Sequence, residues 1–130
     1  MNYHTPSSFS DASTIAAKSA GQIRFLAGGT DVLVQMRSDI LTPDDLIDVK
    51  QIQGVKDITQ NNNGSWTLGI AVTGAEMSEH PEFKKAWPGL VEAADLIGST
   101  QIQGRATIAG NLCNGSPAAD SVPAQIAAGA

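Results

Sequence analysis

Cysteine and basic residues are scarce in this sequence of 130 residues. Cys113 is the only cysteine, which excludes an internal disulfide. It also excludes an iron–sulfur cluster held by this chain alone, because such clusters take about four thiolate ligands. Eight lysines and arginines stand against thirteen acidic residues, for a net charge of −5, and no basic stripe appears. Nucleic acid and anionic membranes are therefore poor candidates as partners.

Long apolar runs are absent as well. No stretch approaches the roughly 20 apolar residues of a membrane span, and the N-terminus lacks the regions of a secretory signal. We therefore expect a cytoplasmic protein. Hydrophobic residues make up 42% and charged residues 16%, which is typical of a globular chain with one modest core.

The first part of the sequence predicts a small α/β unit, which we assign to residues 1–54. A helix over 10–20 can be capped by Ser8 or Ser10 and ended by Gly21. Residues 23–27 predict a strand, 31–37 a short helix and 46–49 a second strand.

The remainder, residues 55–130, has a different character and predicts the first part of a second, α+β subdomain. Strand-like runs 55–59 and 66–72 flank an Asn-rich turn signal and predict a β-hairpin. Residues 79–97 predict a helix interrupted at Pro88. A last helix starts near Asp120 or Ser121, with Pro123 in its first turn. Since the chain stops just after this apolar helix, we expect the sequence to be part of a longer one.

The first candidate binding segment is Phe25-Leu26-Ala27-Gly28-Gly29-Thr30-Asp31. A predicted strand runs into paired glycines and then into a helix start. Glycine accepts positive φ and has no Cβ, so consecutive backbone N–H groups can surround an anion. The motif is neither G-x-G-x-x-G nor a P-loop. A tight turn without any ligand explains this segment equally well.

The second candidate segment is the run 107–115, TIAGNLCNG. Thr107, Asn111 and Asn114 can each hydrogen-bond phosphate or ribityl oxygens, although an irregular loop is the simpler interpretation of this run alone. Together the two segments can hold both phosphates of a dinucleotide without a lysine, since hydrogen bonds to charged groups contribute about 1.5–3 kcal/mol each.

Both segments resemble the FAD-binding subunit or domain of the molybdenum hydroxylases, the family of xanthine dehydrogenases and aerobic carbon monoxide dehydrogenases. The resemblance is carried by residues 27–31 (AGGTD) and 101–111 (QIQGRATIAGN), and extended by 116–120 and 128–130. It implies the α+β fold shared with p-cresol methylhydroxylase and vanillyl-alcohol oxidase, with FAD between a small α/β subdomain and a larger α+β one. The family's domain is longer than this chain.

The resemblance also implies which residues contact FAD. The pyrophosphate and adenosine would lie against Leu26, Ala27, Gly28, Gly29, Thr30 and Asp31, with Val32 packing nearby. The pyrophosphate and ribityl chain would be held from the other side by Thr107, Ala109, Gly110, Asn111 and Asn114. Asp120 would help to fix the ribityl or flavin end. Ile97 would pack against the isoalloxazine ring, although its helical spacing with Leu90 and Ala94 fits a core residue equally well.

An electron-transfer flavoprotein is the function that the resemblance implies. FAD would take electrons from 2Fe-2S clusters on a small partner subunit, downstream of a large molybdenum-cofactor subunit, and pass them to NAD, a quinone or oxygen. We predict no catalytic residue and no metal ligand on this chain, and expect it to be inactive alone. Two alternatives stay open: a stand-alone flavin oxidase or reductase of the same wider fold, and an assembly fragment that does not retain FAD.

Three further expectations concern single residues. Cys113 is expected to be a small buried side chain, and Trp66 and Trp87 to pack in the core. Gly29→Val or Gly110→Val should abolish FAD retention while costing much less in fold stability, because each puts a branched Cβ where backbone would approach phosphate.

Overall fold

The structure is a computed structural model that describes residues 1–130. Its first sheet consists of three parallel strands. They lie in the order β1-β3-β2, with bounds β1 (Asn2–His4), β2 (Ile23–Leu26) and β3 (Asp45–Asp48). Leu46 and Ile47 of the central strand are buried. Strands β2 and β3 confirm the two predicted strands. Strand β1 is missing from the prediction, because three residues carry little pattern and only pairing with β3 makes them a strand.

Helix α1 (Phe9–Lys18) connects β1 to β2 and packs on β3, as parallel strands require. Its N-cap is Ser8, one of the two predicted caps, whose hydroxyl accepts a hydrogen bond from the Asp11 N–H. Helix α2 (Val32–Arg37) follows β2 after the glycine pair and confirms the short predicted helix.

The predicted hairpin is present but shorter than expected. Its strands β4 (Ile58–Gln60) and β5 (Trp66–Leu68) pair antiparallel around a turn in which Gly64 has φ of 85°. Beyond Leu68 the Gly69 and Ala71 N–H groups still donate to the Asp57 and Val55 carbonyls, at 2.9 and 2.7 Å, but residues 69–72 form a turn in which the Val72 N–H donates to the Gly69 carbonyl.

Six short helices make up the rest of the chain: α3 (Gly74–Glu79), α4 (Pro81–Ala86), α5 (Pro88–Asp95), α6 (Thr100–Gln103), α7 (Ile108–Asn114) and α8 (Val122–Ala127). The single interrupted helix predicted over 79–97 is wrong in extent. Pro81 and Pro88 each start a new helix, because proline fits the first turn of a helix and breaks its interior. The predicted start of the last helix is confirmed, with Ser121 as its N-cap.

The run 107–115, interpreted as an irregular loop, is a helix in the structure. Thr107 is the N-cap of α7, and its hydroxyl accepts a hydrogen bond from the Gly110 N–H at 3.0 Å. Gly115 ends the helix in the left-handed conformation, with φ of 62°. Gly110 thus lies in the first turn of this helix and Gly115 ends it. The sequence pattern did not reveal the helix because it has only seven residues.

Two hydrophobic clusters divide the core. The first joins the sheet to the segment before the hairpin and contains Ala12, Ile47, Val49, Ile52, Val55 and Ala71. The second lies among the helices and contains Val72, Met77, Phe83, Leu90, Val91 and Ala94. Trp66 and Trp87 pack against the second cluster, which confirms their predicted role. The division into subdomains 1–54 and 55–130 stays a prediction. None of the helices has the length and apolar character to cross a membrane.

Candidate functional site

A cleft of about 780 Å³ lies between the two parts of the chain. Its volume falls within the range of roughly 300–1,000 Å³ that is usual for small-molecule sites. The first wall comes from α1, the end of β2, the glycine turn and the start of α2; the second comes from Ile97 and residues 106–114. All predicted contact residues except Leu26 and Asp120 line this cleft: Ala27, Gly28, Gly29, Thr30, Asp31, Val32, Ile97, Thr107, Ala109, Gly110, Asn111 and Asn114.

The glycine turn places the first wall at the carboxyl end of a parallel strand, where α/β sheets commonly bind ligands. Leu26 is buried and does not line the cleft, so its contact with a ligand stays a prediction. Gly29 has φ of 80°, the left-handed conformation that glycine adopts without strain.

Gly28 is where the two walls touch. A Cβ at this position would lie 2.0 Å from the Arg105 carbonyl oxygen, so the second wall approaches closely because the side chain is absent. The Arg105 side chain reaches back, and its Nε donates to the Gly28 carbonyl at 3.3 Å. Arg105 therefore joins the walls and does not line the cleft; Arg24 is the basic residue that does.

Several backbone N–H groups of the cleft walls have no acceptor within the chain. On the first wall these are the N–H groups of Gly28, Gly29, Thr30, Asp31 and Val32, and on the second those of Thr107 and Ala109. Asp31 precedes α2 without making a side-chain capping bond, and at the start of this helix the Leu33 N–H donates to the Gly29 carbonyl while the Val32 N–H stays unpaired. Unpaired N–H groups at helix starts and glycine turns are available to acceptor groups of a ligand.

Side chains of the two walls also meet directly. The Asn114 Nδ2 donates to the Asp31 Oδ2 at 3.0 Å across the mouth of the cleft. On the second wall, the Asn111 Oδ1 accepts hydrogen bonds from the N–H and hydroxyl of Ser121. The carboxamides of both asparagines are thus partly engaged within the chain.

The structure bears on the two predicted residues for the flavin end, Ile97 and Asp120, in different ways. Ile97 is half-buried, lies outside the second core cluster and lines the cleft, so the core interpretation loses support while its contact with a flavin stays a prediction. Asp120 is exposed in the turn before α8 and does not line the cleft.

Cys113 corrects an expectation. The thiol is exposed and lines the cleft, whereas a buried side chain was expected. The reason is that α7 has no fully buried residue: its packing face is narrow and one side of the helix forms a cleft wall.

The glycine variants need a second correction. A Cβ at residue 110 would lie 2.7 Å from the Thr107 hydroxyl that caps α7. At Gly29 a Cβ would lie 2.8 Å from the Leu26 side chain, and the positive φ strains any other residue. Both substitutions by valine therefore disturb the fold itself, and the expectation of a small cost in stability does not hold.

Eleven of the 23 residues that line the cleft were not singled out as ligand contacts from the sequence, and four of these add exposed apolar surface or charge. Phe9, Phe25 and Ile70 are exposed apolar side chains, and Arg24 adds a positive charge. The signal for Phe25 was present, because it alternates with Leu26 along β2 and must face the opposite way. Phe9 and Ile70 reach the cleft only through tertiary packing.

A partly buried ion pair supports the first wall from behind. The Lys50 Nζ lies 2.8 Å from the Asp48 Oδ1 and donates to the Ala27 carbonyl at 3.2 Å. Burial raises the pKa of Asp48, but hydrogen bonds from Lys50 and Tyr3 and the Lys50 charge outweigh it and leave the pKa below its usual value. The same Tyr3 hydrogen bond raises the pKa of the phenol. Asp48 therefore stays charged and holds Lys50 against the turn.

Comparison with known proteins shows that the whole chain matches one protein family. The family model of the FAD binding domain in molybdopterin dehydrogenase matches residues 1–130. The xanthine dehydrogenase FAD-binding subunit of Escherichia coli O157:H7 is 34% identical over 120 residues, which are 92% of this chain and 41% of that protein. The chain thus spans about two fifths of the length of such curated relatives.

Solved structures agree on the fold. Carbon monoxide dehydrogenase from Oligotropha carboxidovorans matches with a TM-score of 0.83 and 30% identity, over 93% of this chain and 42% of that one. The enzyme from Hydrogenophaga pseudoflava matches with a TM-score of 0.82 and 28% identity, over 90% and 40%. The α+β fold implied by the sequence resemblance is confirmed.

Proposed function

Since the chain belongs to the family of FAD-binding domains of molybdopterin dehydrogenases, we propose that its cleft holds FAD as part of an electron-transfer subunit. The observation that carries this proposal is the pair of walls with unpaired backbone N–H groups, at Gly28–Val32 on one side and at Thr107 and Ala109 on the other. A pyrophosphate is rich in acceptors and matches these donors. FAD, when bound, supplies the redox chemistry, so the chain itself needs no acid–base pair.

The walls fit the rest of a flavin dinucleotide as well. The glycine turn with Thr30 and Asp31 would hold the pyrophosphate and adenosine part, and Thr107, Gly110, Asn111 and Asn114 the pyrophosphate and ribityl chain. Ile97, Phe25 and Ile70 offer apolar surface to a planar ring. For Leu26 the contact with FAD stays a prediction. Asp120 would take part only if the turn before α8 moved toward the cleft.

The partners follow from the family and are part of the proposal. Electrons would come from 2Fe-2S clusters of a small subunit, with the molybdenum cofactor on a large subunit, and leave to NAD, a quinone or oxygen. The names of the relatives, a xanthine dehydrogenase subunit and carbon monoxide dehydrogenases, support a complex of this kind. The cytoplasmic location rests on the sequence alone.

One variant separates binding from folding. Ala109→Asp puts a carboxylate in the first turn of α7. There the negative charge interacts favourably with the helix dipole and stabilises the helix, but it repels a pyrophosphate. We expect FAD affinity to fall at least about tenfold, as for the loss of one charged hydrogen bond, with thermal stability unchanged or higher. FAD binding is measured by flavin fluorescence and by the visible flavin bands retained after gel filtration.

Ala75→Asp is the matched control, because Ala75 holds the same second position in α3, is equally half-buried and does not line the cleft. It should leave FAD affinity unchanged. Equal affinities for the parent and Ala109→Asp would overturn the cleft as the FAD site. A folded parent chain that binds no FAD would favour the assembly-fragment alternative.

A further inference from the structure

We propose that Ser121 is a positioning residue that fixes the side-chain carboxamide of Asn111, so that Asn111 offers only N–H donors to the cleft. The proposal rests on the proposed FAD function for its consequence, but its geometry belongs to the chain alone. Ser121 does not line the cleft. It acts through Asn111, which does.

Two donors from Ser121 meet one oxygen of Asn111. The Ser121 hydroxyl lies 2.7 Å from the Asn111 Oδ1, and the Ser121 backbone N–H lies 3.3 Å from the same atom. A backbone N–H can only donate, so the carboxamide atom that faces it must be the oxygen. The polarity of the Asn111 side chain is therefore set jointly by this backbone N–H and by the shorter bond from the Ser121 hydroxyl.

The direction of the hydroxyl proton follows from the Asn111 oxygen. Because that oxygen can only accept, the Ser121 hydroxyl gives its single proton to Asn111. The hydroxyl oxygen then accepts from the Gln125 Nε2, which lies 3.1 Å away. Ser121 has no exposed surface, so no water competes for this proton. The hydrogen bonds run one way, from Gln125 through Ser121 to Asn111.

The consequence lies on the cleft side. The Asn111 Nδ2 carries two N–H groups, makes no hydrogen bond within the chain, and belongs to a half-buried residue of the cleft wall. Phosphate and carbonyl oxygens accept from such donors. A reversed carboxamide would instead present oxygen lone pairs to the same groups and would repel them.

The first test replaces the donor by a titratable acceptor. Asn111→Asp keeps an oxygen for Ser121 but loses the N–H groups, so FAD affinity should fall at least about tenfold at pH 7.5. Affinity should recover only below about pH 4, the ordinary pKa of an aspartate, where the carboxyl group gains a proton and becomes a donor again. Asn111→Leu has neither donor nor charge and should show no recovery beyond that of the parent. The same pH profile in both variants would overturn the donor role.

The second test is a double-mutant cycle. Ser121→Ala removes one of the two bonds that orient the carboxamide and should weaken FAD binding by about tenfold or less, as expected for one hydrogen bond. In the Asn111→Asp background the two carboxylate oxygens are equivalent and orientation has no meaning. There Ser121→Ala should change affinity less than about twofold. Equal losses in both backgrounds would assign Ser121 a structural role only.

A third measurement needs no FAD and separates this proposal from the proposed function. NMR of the labelled chain should give a single pair of Asn111 side-chain N–H signals, without a cross-relaxation peak to the Ser121 amide proton. Ser121→Ala should shift this averaged pair and give it a cross-relaxation peak to the amide proton of residue 121, because the reversed carboxamide becomes populated and exchanges rapidly. A parent chain that binds no FAD but shows this pattern refutes the cofactor and keeps the positioning. A reversed or mixed carboxamide in the parent refutes the positioning itself.

Discussion

At the scale of single residues, Gly28 has a role that differs from the one suggested by its motif. The sequence favours glycine here for an anion-binding turn, but the structure shows that the missing side chain admits the Arg105 carbonyl of the other wall. Gly29, not Gly28, has the positive φ. One glycine of the pair thus serves the turn and the other the contact between the walls.

Gly28→Ala tests this division of roles. The added Cβ would lie 2.0 Å from the Arg105 oxygen and 2.9 Å from its carbonyl carbon, so backbone must move apart. We expect a loss of about 1–3 kcal/mol in the free energy of unfolding, as for overpacked cores, and a weaker site for FAD. Denaturant unfolding measures the first quantity.

Gly89→Ala is the control, since a Cβ at this helical position of α5 meets nothing within 4 Å. It should raise the free energy of unfolding by up to about 1 kcal/mol. If Gly28→Ala is as stable as the parent, the close approach of the two walls is wrong.

At the scale of elements, Asp45 ties the first sheet to its crossover helix. Its carboxylate accepts hydrogen bonds from Ser19 after α1 at 2.6 Å, from His4 at 2.8 Å and from Asn2 at 2.9 Å. The Ser19 bond first, and then those from His4 and Asn2, hold the pKa of Asp45 far below its usual range. One charged group at the start of β3 therefore links β1, α1 and β3.

This linkage predicts a pH dependence. A carboxyl group whose pKa is lower in the folded state stabilises the fold above its unfolded pKa of about 4 and loses this effect as pH falls further. Asp45→Asn should therefore lower the melting temperature at pH 7, and the difference from the parent should shrink below about pH 4. Thermal unfolding followed by circular dichroism between pH 7 and pH 3 measures it.

Glu92→Gln serves as the control, because Glu92 is exposed on α5 and its carboxylate makes no ion pair. It should leave the pH dependence unchanged. A constant difference between Asp45→Asn and the parent down to pH 3 would contradict the charged role of Asp45.

At the scale of the whole molecule, the candidate site belongs to neither part of the chain alone. The Arg105–Gly28 and Asn114–Asp31 hydrogen bonds join residues 77 and 83 positions apart, and each connects the two walls of the cleft. Contacts within the chain therefore hold the two walls together, and occupation of the cleft can be followed from a reporter on either wall.

Cys113 provides that reporter, as the only cysteine and an exposed residue of the second wall. We expect FAD to slow its reaction with a thiol reagent several-fold, because a ligand that spans the cleft covers the thiol. Riboflavin, which lacks the pyrophosphate, should protect less. The rates are read from the absorbance of the released thiolate at constant pH. Unchanged rates at FAD concentrations that saturate the fluorescence signal would place the cofactor outside this cleft.

Local sequence determined much of the first wall. The alternation over 23–27 and the Gly28-Gly29 pair predict the strand, the turn and the helix that follow, because these signals act between neighbours in the chain. The Asn-rich turn fixes the hairpin, and Ser121 with Pro123 fixes the start of α8. The resemblance over residues 27–31 and 101–111 indicates the family, which the comparisons confirm.

Tertiary structure decided what depends on distant partners. Strand β1 exists because β3 lies beside it, and Cys113 is exposed because α7 faces the cleft. The polarity of Asn111 depends on Ser121, ten positions away. Local patterns record which conformation a segment prefers, whereas the burial of a side chain and the partner of a hydrogen bond are settled only when separate segments pack together.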